Sequence, residues 1–295
     1  MMQIRVGASF ERAETEYVPV VYPGPEGSHS DAAAAAMFPA AERVPLGSFR
    51  GVAEAVASAA ATHGILPIES SLAGAVAETH DLLNDRPISI VAEAVLPIRH
   101  ALVAPRALPL ADIRLVRSHP SALDQCREFL HRLSHARIIS TATTADAARE
   151  TAEDGDPHAA AIASAEAAAR YGLVSLADDV GDAPAFTRFV AIAPYTWLGA
   201  DRGRARTAFT FVADHRPGAL HAAIEPFAVT GLDLLRLVSR PLPATPWSYR
   251  FDAVVAGHPL DATVRRAFGE LRRATRSYRI VGVYEGADEL TQFGT

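Results

Sequence analysis

From residue 18 to about residue 194, short apolar runs alternate with helical patterns, and no other feature of the chain narrows its possible folds as far. The strand candidates are "VPVVYPG" (18–24), "GILPIES" (64–70), "ADIRLVRSH" (111–119), "ARIIST" (136–141), "HAAAIAS" (158–164) and "TRFVAIAP" (187–194). Between them lie segments such as "FRGVAEAVASAAA" and "TADAARETAED", which read as helices. Strands alternating with helices in this way predict an open parallel α/β architecture. The helix opening at "HPSALDQCREFLHRL" takes Pro120 into its first turn and stacks Ala122, Cys126, Phe129, Leu130 and Leu133 on one face. Cys126 is therefore expected in the core rather than as a reactive thiol.

The alternation stops at "YTWLGADRGRAR", whose glycines and arginines read as a linker. Beyond it the order is strand "RTAFTFVAD", helix "GALHAAIEPFAVTG", strands "DLLRLVSRPL" and "SYRFDAVVAG", helix "LDATVRRAFGELRRAT" and strand "YRIVGVYE". That is βαββαβ, the ferredoxin-like arrangement. In open α/β folds ligands sit at the carboxyl ends of strands. Glu69, Ser118 and His119, polar residues that end strands, are thus the first candidates for a site.

With 295 residues, of which 49% are hydrophobic, the chain has room for two domains of about 100–200 residues each. A net charge of -6 without any basic run argues against nucleic acid as a partner. The single Cys126 excludes an internal disulfide framework and a multi-thiolate zinc site, as expected in a reducing cytosol. No run approaches the ~20 apolar residues that cross a bilayer, so no membrane contact and a cytoplasmic location are expected. The chain contains no lysine, which excludes Schiff-base chemistry, a pyridoxal phosphate anchor and a Walker-type phosphate lysine. Its 11 histidines show no metal-ligand spacing with carboxylates, and no metal is expected.

Five segments, "GPEGSHSDAA" (24–33), "LPIESSLAG" (66–74), "SHPSALDQC" (118–126), "AAIASAEAAARYGL" (160–173) and "FTRF" (186–189), resemble in order and spacing the prephenate dehydratase domain. The part after residue 206, with "PGAL" (217–220) and "SRP" (239–241), resembles the ACT regulatory domain that follows it in that family. The resemblance implies a two-lobed catalytic domain over 18–197, like a periplasmic binding protein, with lobes at about 18–93 plus 187–197 and 94–186. It also implies an ACT domain over 204–288 and no cofactor. The implied reaction converts prephenate to phenylpyruvate, with loss of the ring hydroxyl and carbon dioxide.

In the family, the threonine of Thr-Arg-Phe is the residue most closely tied to dehydration, which implies that role for Thr187 as a hydrogen-bond donor to the leaving oxygen. Glu69 is expected as the charged group of the cleft, orienting Thr187 or assisting proton movement. The "GPEGSHS" loop leads into a helix, so Ser28, His29 and Ser30 are expected to cradle a substrate carboxylate at its N-terminus, with Ser30 alternatively a plain helix cap. Ser70, Ser71, Ser118, Gln125 and Arg188 complete the expected substrate contacts, although strand alternation points Arg188 away from Thr187. Gly218, Ala219, Leu220, Ser239, Arg240 and Pro241 are the expected phenylalanine-binding residues, meeting where two ACT domains pair in a homodimer or homotetramer.

The chain departs from the family where the cleft is expected. Ser70 replaces an asparagine, His29 an aromatic residue and Val238 a glutamate, and the asparagine usual before Thr-Arg-Phe is absent from "GDAPAFTRF". Three functions therefore stay open: a dehydratase, a decarboxylase that keeps the hydroxyl and uses His29 to protonate ring carbon, and a catalytically silent amino-acid sensor. Whether arogenate is accepted is also open.

Overall fold

The computed structural model describes residues 5–6, 19–196, 198–242 and 245–287. The expected domain limits at 18, 197 and 288 lie outside the described residues. The first lobe contains β1 (Arg5–Val6), β2 (Val20–Pro23), α1 (His29–Met37), β3 (Arg43–Leu46), α2 (Phe49–Ala57), β4 (His63–Ser70), β5 (Gly74–Ala75), α3 (Ala77–Asp85) and β6 (Ser89–Ile98). The second contains β7 (Ala101–Ala104), β8 (Leu115–Ser118), α4 (Pro120–Gln125), α5 (Arg127–His131), β9 (Arg137–Ser140), α6 (Thr144–Asp154), β10 (Ala159–Ala163), α7 (Ala165–Arg170) and β11 (Val174–Ala177). The chain then returns to the first lobe as β12 (Ala185–Ala193).

All six expected strands form, but the sheets are mixed rather than parallel. β2 runs parallel to β3 and β4, and β8 parallel to β9 and β10, whereas β12 is antiparallel to both β4 and β6, and β7 is antiparallel to β10 and β11. The return crossing brings β12 into the first sheet in the opposite sense. β6 and β7 escaped the pattern because buried strands lose the alternation that marks a half-exposed one. β6 keeps to the first sheet through Ile98, so the first crossing falls at Arg99 and His100 rather than near residue 93.

The helix at Pro120 is also shorter than its apolar face predicts. It breaks at Cys126, where the Asp182 carboxylate accepts from the backbone N–H groups of Arg127 and Glu128 and so caps a second helix. Cys126 itself is fully buried, and burial pushes its thiol pKa up to about 12.

The C-terminal unit has the expected βαββαβ order: β13 (Ala205–Val212), α8 (Ala219–Val229), β14 (Leu234–Pro241), β15 (Tyr249–Ala256), α9 (Ala262–Ala274) and β16 (Ser277–Glu285). Its strands lie in the order β14-β15-β13-β16, and β16 continues alongside β6, which joins this unit and the first lobe into one sheet. The join is close because Gly282 faces Ile90. A Cβ at Gly282 would lie 2.6 Å from the Ile90 carbonyl oxygen and 2.5 Å from its Cβ. Backbone cannot step aside as a flexible side chain can, so Gly282→Ala is expected to cost about 1–3 kcal/mol. Thermal denaturation checks this, and an unchanged melting temperature would show that the seam is not tightly closed. No described helix is long and apolar enough to cross a membrane.

Candidate active site

A cavity of about 830 Å³ lies between the two lobes and takes its lining from both. Four helices begin at it. Their N-caps, Ser28 of α1, Ser48 of α2, His119 of α4 and Thr143 of α6, all line the cavity. Each cap side chain accepts from a backbone N–H in its own first turn, at 3.3, 3.0, 3.2 and 2.9 Å respectively. The helices themselves follow from sequence, since a serine or threonine stands just before the apolar pattern of α2 and α6. Each helix N-terminus carries roughly half a positive charge and further unpaired N–H groups.

Those termini matter because, among the described residues, no arginine lines the cavity. Its charged lining residues are Glu78 and Asp146, and Asp146 is held by Arg149 at 3.1 Å and by the Thr143 hydroxyl at 2.8 Å. The groups left in the lining to attract a carboxylate are thus the peptide N–H groups at the helix N-termini.

The loop "GPEGSHS" shapes one wall. Gly27 has φ +81, and a Cβ there would meet the Ala167 Cα of the opposite lobe at 3.2 Å. The Tyr171 hydroxyl donates to the Glu26 carbonyl at 2.9 Å, and Arg170 pairs with Glu26, so this loop touches the second lobe directly. Ser28, not Ser30, is the helix cap, and Ser30 sits in the first turn, nine-tenths buried.

Thr187 lines the opposite wall from β12, in register with Ser70 of β4 and Leu96 of β6. The register against β4 shifts between Arg188 and Phe189, where Ile68 of β4 has no partner on β12. Ser70 also lines the cavity, its hydroxyl accepting from the Leu72 and Ala73 N–H groups. His29, Ser30 and Gln125 complete the expected residues that the structure brings to the cleft.

Four expected residues are not in the lining. Glu69 and Arg188 occupy the other face of the sheet, where Arg188 Nε donates to Glu69 Oε2 at 3.1 Å and Arg236 Nη1 approaches the same oxygen at 3.5 Å. Strand alternation forces this, since neighbours of Thr187 and Ser70 must point the other way. Ser118 is fully buried and donates to the Ile162 carbonyl at 2.7 Å, which fixes β8 rather than a ligand. The Ser71 hydroxyl accepts from the Phe186 N–H at 2.9 Å and clips the β4 turn to β12.

Sequence reasoning missed His100, Ser48 and Thr143 in the lining. His100 lies at the lobe crossing, 5% exposed, with Nε2 within 3.0 Å of Gln125 Oε1. Its ring meets that of His29 edge-on at 6.5 Å. Burial, then the neighbouring His100, pulls the His29 pKa down to about 4. Burial also lowers the pKa of His100 and of His119. Among the described residues no group of three or more histidine, cysteine or acidic side chains is placed to hold a metal ion.

In the C-terminal unit, Ala219 and Leu220 line a second cavity of about 420 Å³ with Arg216, Trp247 and Tyr249, while Gly218 starts α8 at φ +78. Ser239, Arg240 and Pro241 lie on β14 outside this lining, and Arg240 instead reaches Asp81 of α3 at 2.7 Å. One chain alone does not assemble the two halves expected to bind phenylalanine.

Two lobes around a cleft at which four helices begin, followed by a βαββαβ unit, define a two-lobed α/β protein with a C-terminal ferredoxin-like unit. The model of the family "Prephenate dehydratase" matches residues 20–196, and the chain belongs to that family. It is 33% identical over 277 residues to arogenate dehydratase/prephenate dehydratase 2, chloroplastic, of Arabidopsis thaliana, covering 90% of this chain and 72% of the relative. It also resembles the crystal structure of the Arthrobacter aurescens prephenate dehydratase in complex with L-Phe, with TM-score 0.84, 33% identity and coverage of 92% and 91% of the two chains. A solved structure of GqqA, described as a novel type of quorum quenching acylase, matches with TM-score 0.83 and 32% identity over 92% of this chain and 99% of that one.

Proposed function

We propose that the protein is a prephenate dehydratase, with arogenate as a second substrate to be tried. The observation that carries this reading is that Thr187 of Thr-Arg-Phe faces a cleft on which four helix N-termini converge. The helix termini hold the substrate carboxylates. As the ring carbon–carboxylate bond breaks, its electron pair moves through the ring and expels the hydroxyl, which takes up a proton and leaves as water. Thr187 donates a hydrogen bond to that oxygen while charge builds on it, and needs no ionisation of its own. The group that finally supplies the proton is not Glu69, which faces away from the cleft.

His29 separates this reading from the decarboxylase. With its pKa lowered to about 4, the ring is neutral at neutral pH and a poor acid for protonating carbon.

The C-terminal unit we assign as an ACT domain spanning 204–288 after a catalytic domain over 18–197. Two copies pair through it in a homodimer or homotetramer, completing the phenylalanine pocket between "PGAL" of one and "SRP" of the other. The loss of a carboxylate at Val238 makes feedback by phenylalanine weak. The enzyme works in the cytoplasm without a cofactor.

The test is to incubate the purified chain with prephenate and identify products by mass and ultraviolet absorbance. Phenylpyruvate above the slow acid-promoted background supports the proposal, a non-aromatic decarboxylated product overturns it, and phenylalanine binding without turnover points to the sensor. His29→Phe should keep turnover within about threefold, a small change in barrier. It should also flatten the acid side of the stability curve. His29 is neutral when folded but protonates normally when unfolded, so its contribution is lost as pH falls from about 6.5 towards 4. Melting temperatures of both proteins at pH 7 and pH 5 measure the difference.

A further inference from the structure

Behind Thr187, on the face of the sheet turned away from the cleft, lies a cluster of charged side chains that spans two structural units. Glu93 of β6 is 1% exposed, and its Oε1 is shared by Arg188 at 2.6 Å and Arg206 of β13 at 2.7 Å. The Ala287 N–H donates to the same oxygen at 3.2 Å. Arg188 also holds Glu69, which Arg236 of β14 approaches from the C-terminal unit. Three guanidinium groups thus surround two carboxylates, and two of the three come from the βαββαβ unit. Buried Glu93 is its centre, because removing that carboxylate would take from Arg188 and Arg206 the charge they share.

Its position gives it a consequence for catalysis. Arg188 follows Thr187 directly and pairs in register with Glu69, which stands at the register shift that leaves Ile68 of β4 without a partner on β12. Thr187 and Ser70 are the cleft-facing neighbours of this Arg188–Glu69 pair, so what holds the pair on the far face bears on where they point. We propose that Arg236, acting through Glu69 and Arg188, is a positioning residue for Thr187, so that the C-terminal unit is part of the active-site framework. The proposal rests on the dehydratase reading, since it assigns the position of Thr187 a kinetic effect.

Full-length Arg236→Met and Arg236→Lys are compared with the wild type in steady-state turnover of prephenate. A donor misplaced by a fraction of an ångström costs transition-state rather than ground-state binding, so Arg236→Met should lower kcat at least about tenfold with KM within about twofold. Lysine, which restores the charge, should recover part of the loss. Asp81→Asn is the control, because Asp81 binds Arg240 and Arg250 and so joins the same two units at a place remote from β12. It should leave kcat near the wild-type value. An unchanged kcat in Arg236→Met overturns the proposal, as does a loss that lysine does not recover or that Asp81→Asn reproduces. A wild type that does not turn over prephenate removes the dehydratase reading itself, and the proposal with it.

Discussion

Thr187→Val is expected to lower turnover of prephenate by about 10²-fold, the lower end of what a single preorganised donor supplies to a developing negative oxygen. Valine keeps the shape and the strand preference of threonine, so β12 and its pairing with β4 and β6 should survive. KM should change little, because the hydrogen bond strengthens only as the hydroxyl departs. Thr187→Ser, which keeps the donor, should restore most of the rate. Steady-state kinetics on the three proteins decides the matter, and near-normal turnover by the valine variant would remove Thr187 from the reaction.

The largest loss of stability is expected from Glu93→Met. Methionine fits the space but leaves Arg188 and Arg206 facing each other without the carboxylate they share. Breaking a buried ion cluster by removing one partner costs about 3–5 kcal/mol. For a chain of this size that corresponds to a fall in melting temperature on the order of 10 °C. A variant that melts with the wild type would mean that water already reaches the cluster and screens it.

The same cluster shows where the sequence stopped being informative. Alternation along "TRF" is legible from the chain alone, and it places Arg188 on the face opposite Thr187. The register of β12 against β4 is not legible, because it depends on contacts between segments more than a hundred residues apart. With Arg188 opposite Glu69, the carboxylate follows the arginine to the far face. Glu69 was expected in the cleft because it ends a strand beside a serine that does reach it. Ser118 failed for a related reason, since the end of a strand faces either the ligand or the neighbouring strand. The helix caps at Ser48 and Thr143 were readable as caps, but their convergence on one cavity is a property of the two-lobed topology. The C-terminal βαββαβ order was read in full, because its strands are separated by clear turns and its helices by an unbroken apolar face.

A cleft that draws its attraction for anions from peptide units rather than arginines cannot lose it by point substitution. Replacing Ser28, Ser48, His119 or Thr143 removes a cap, but the first-turn N–H groups and the dipole behind them stay. Side chains around such a cradle, Ser70 and His29 among them, would then be free to vary without forfeiting carboxylate recognition.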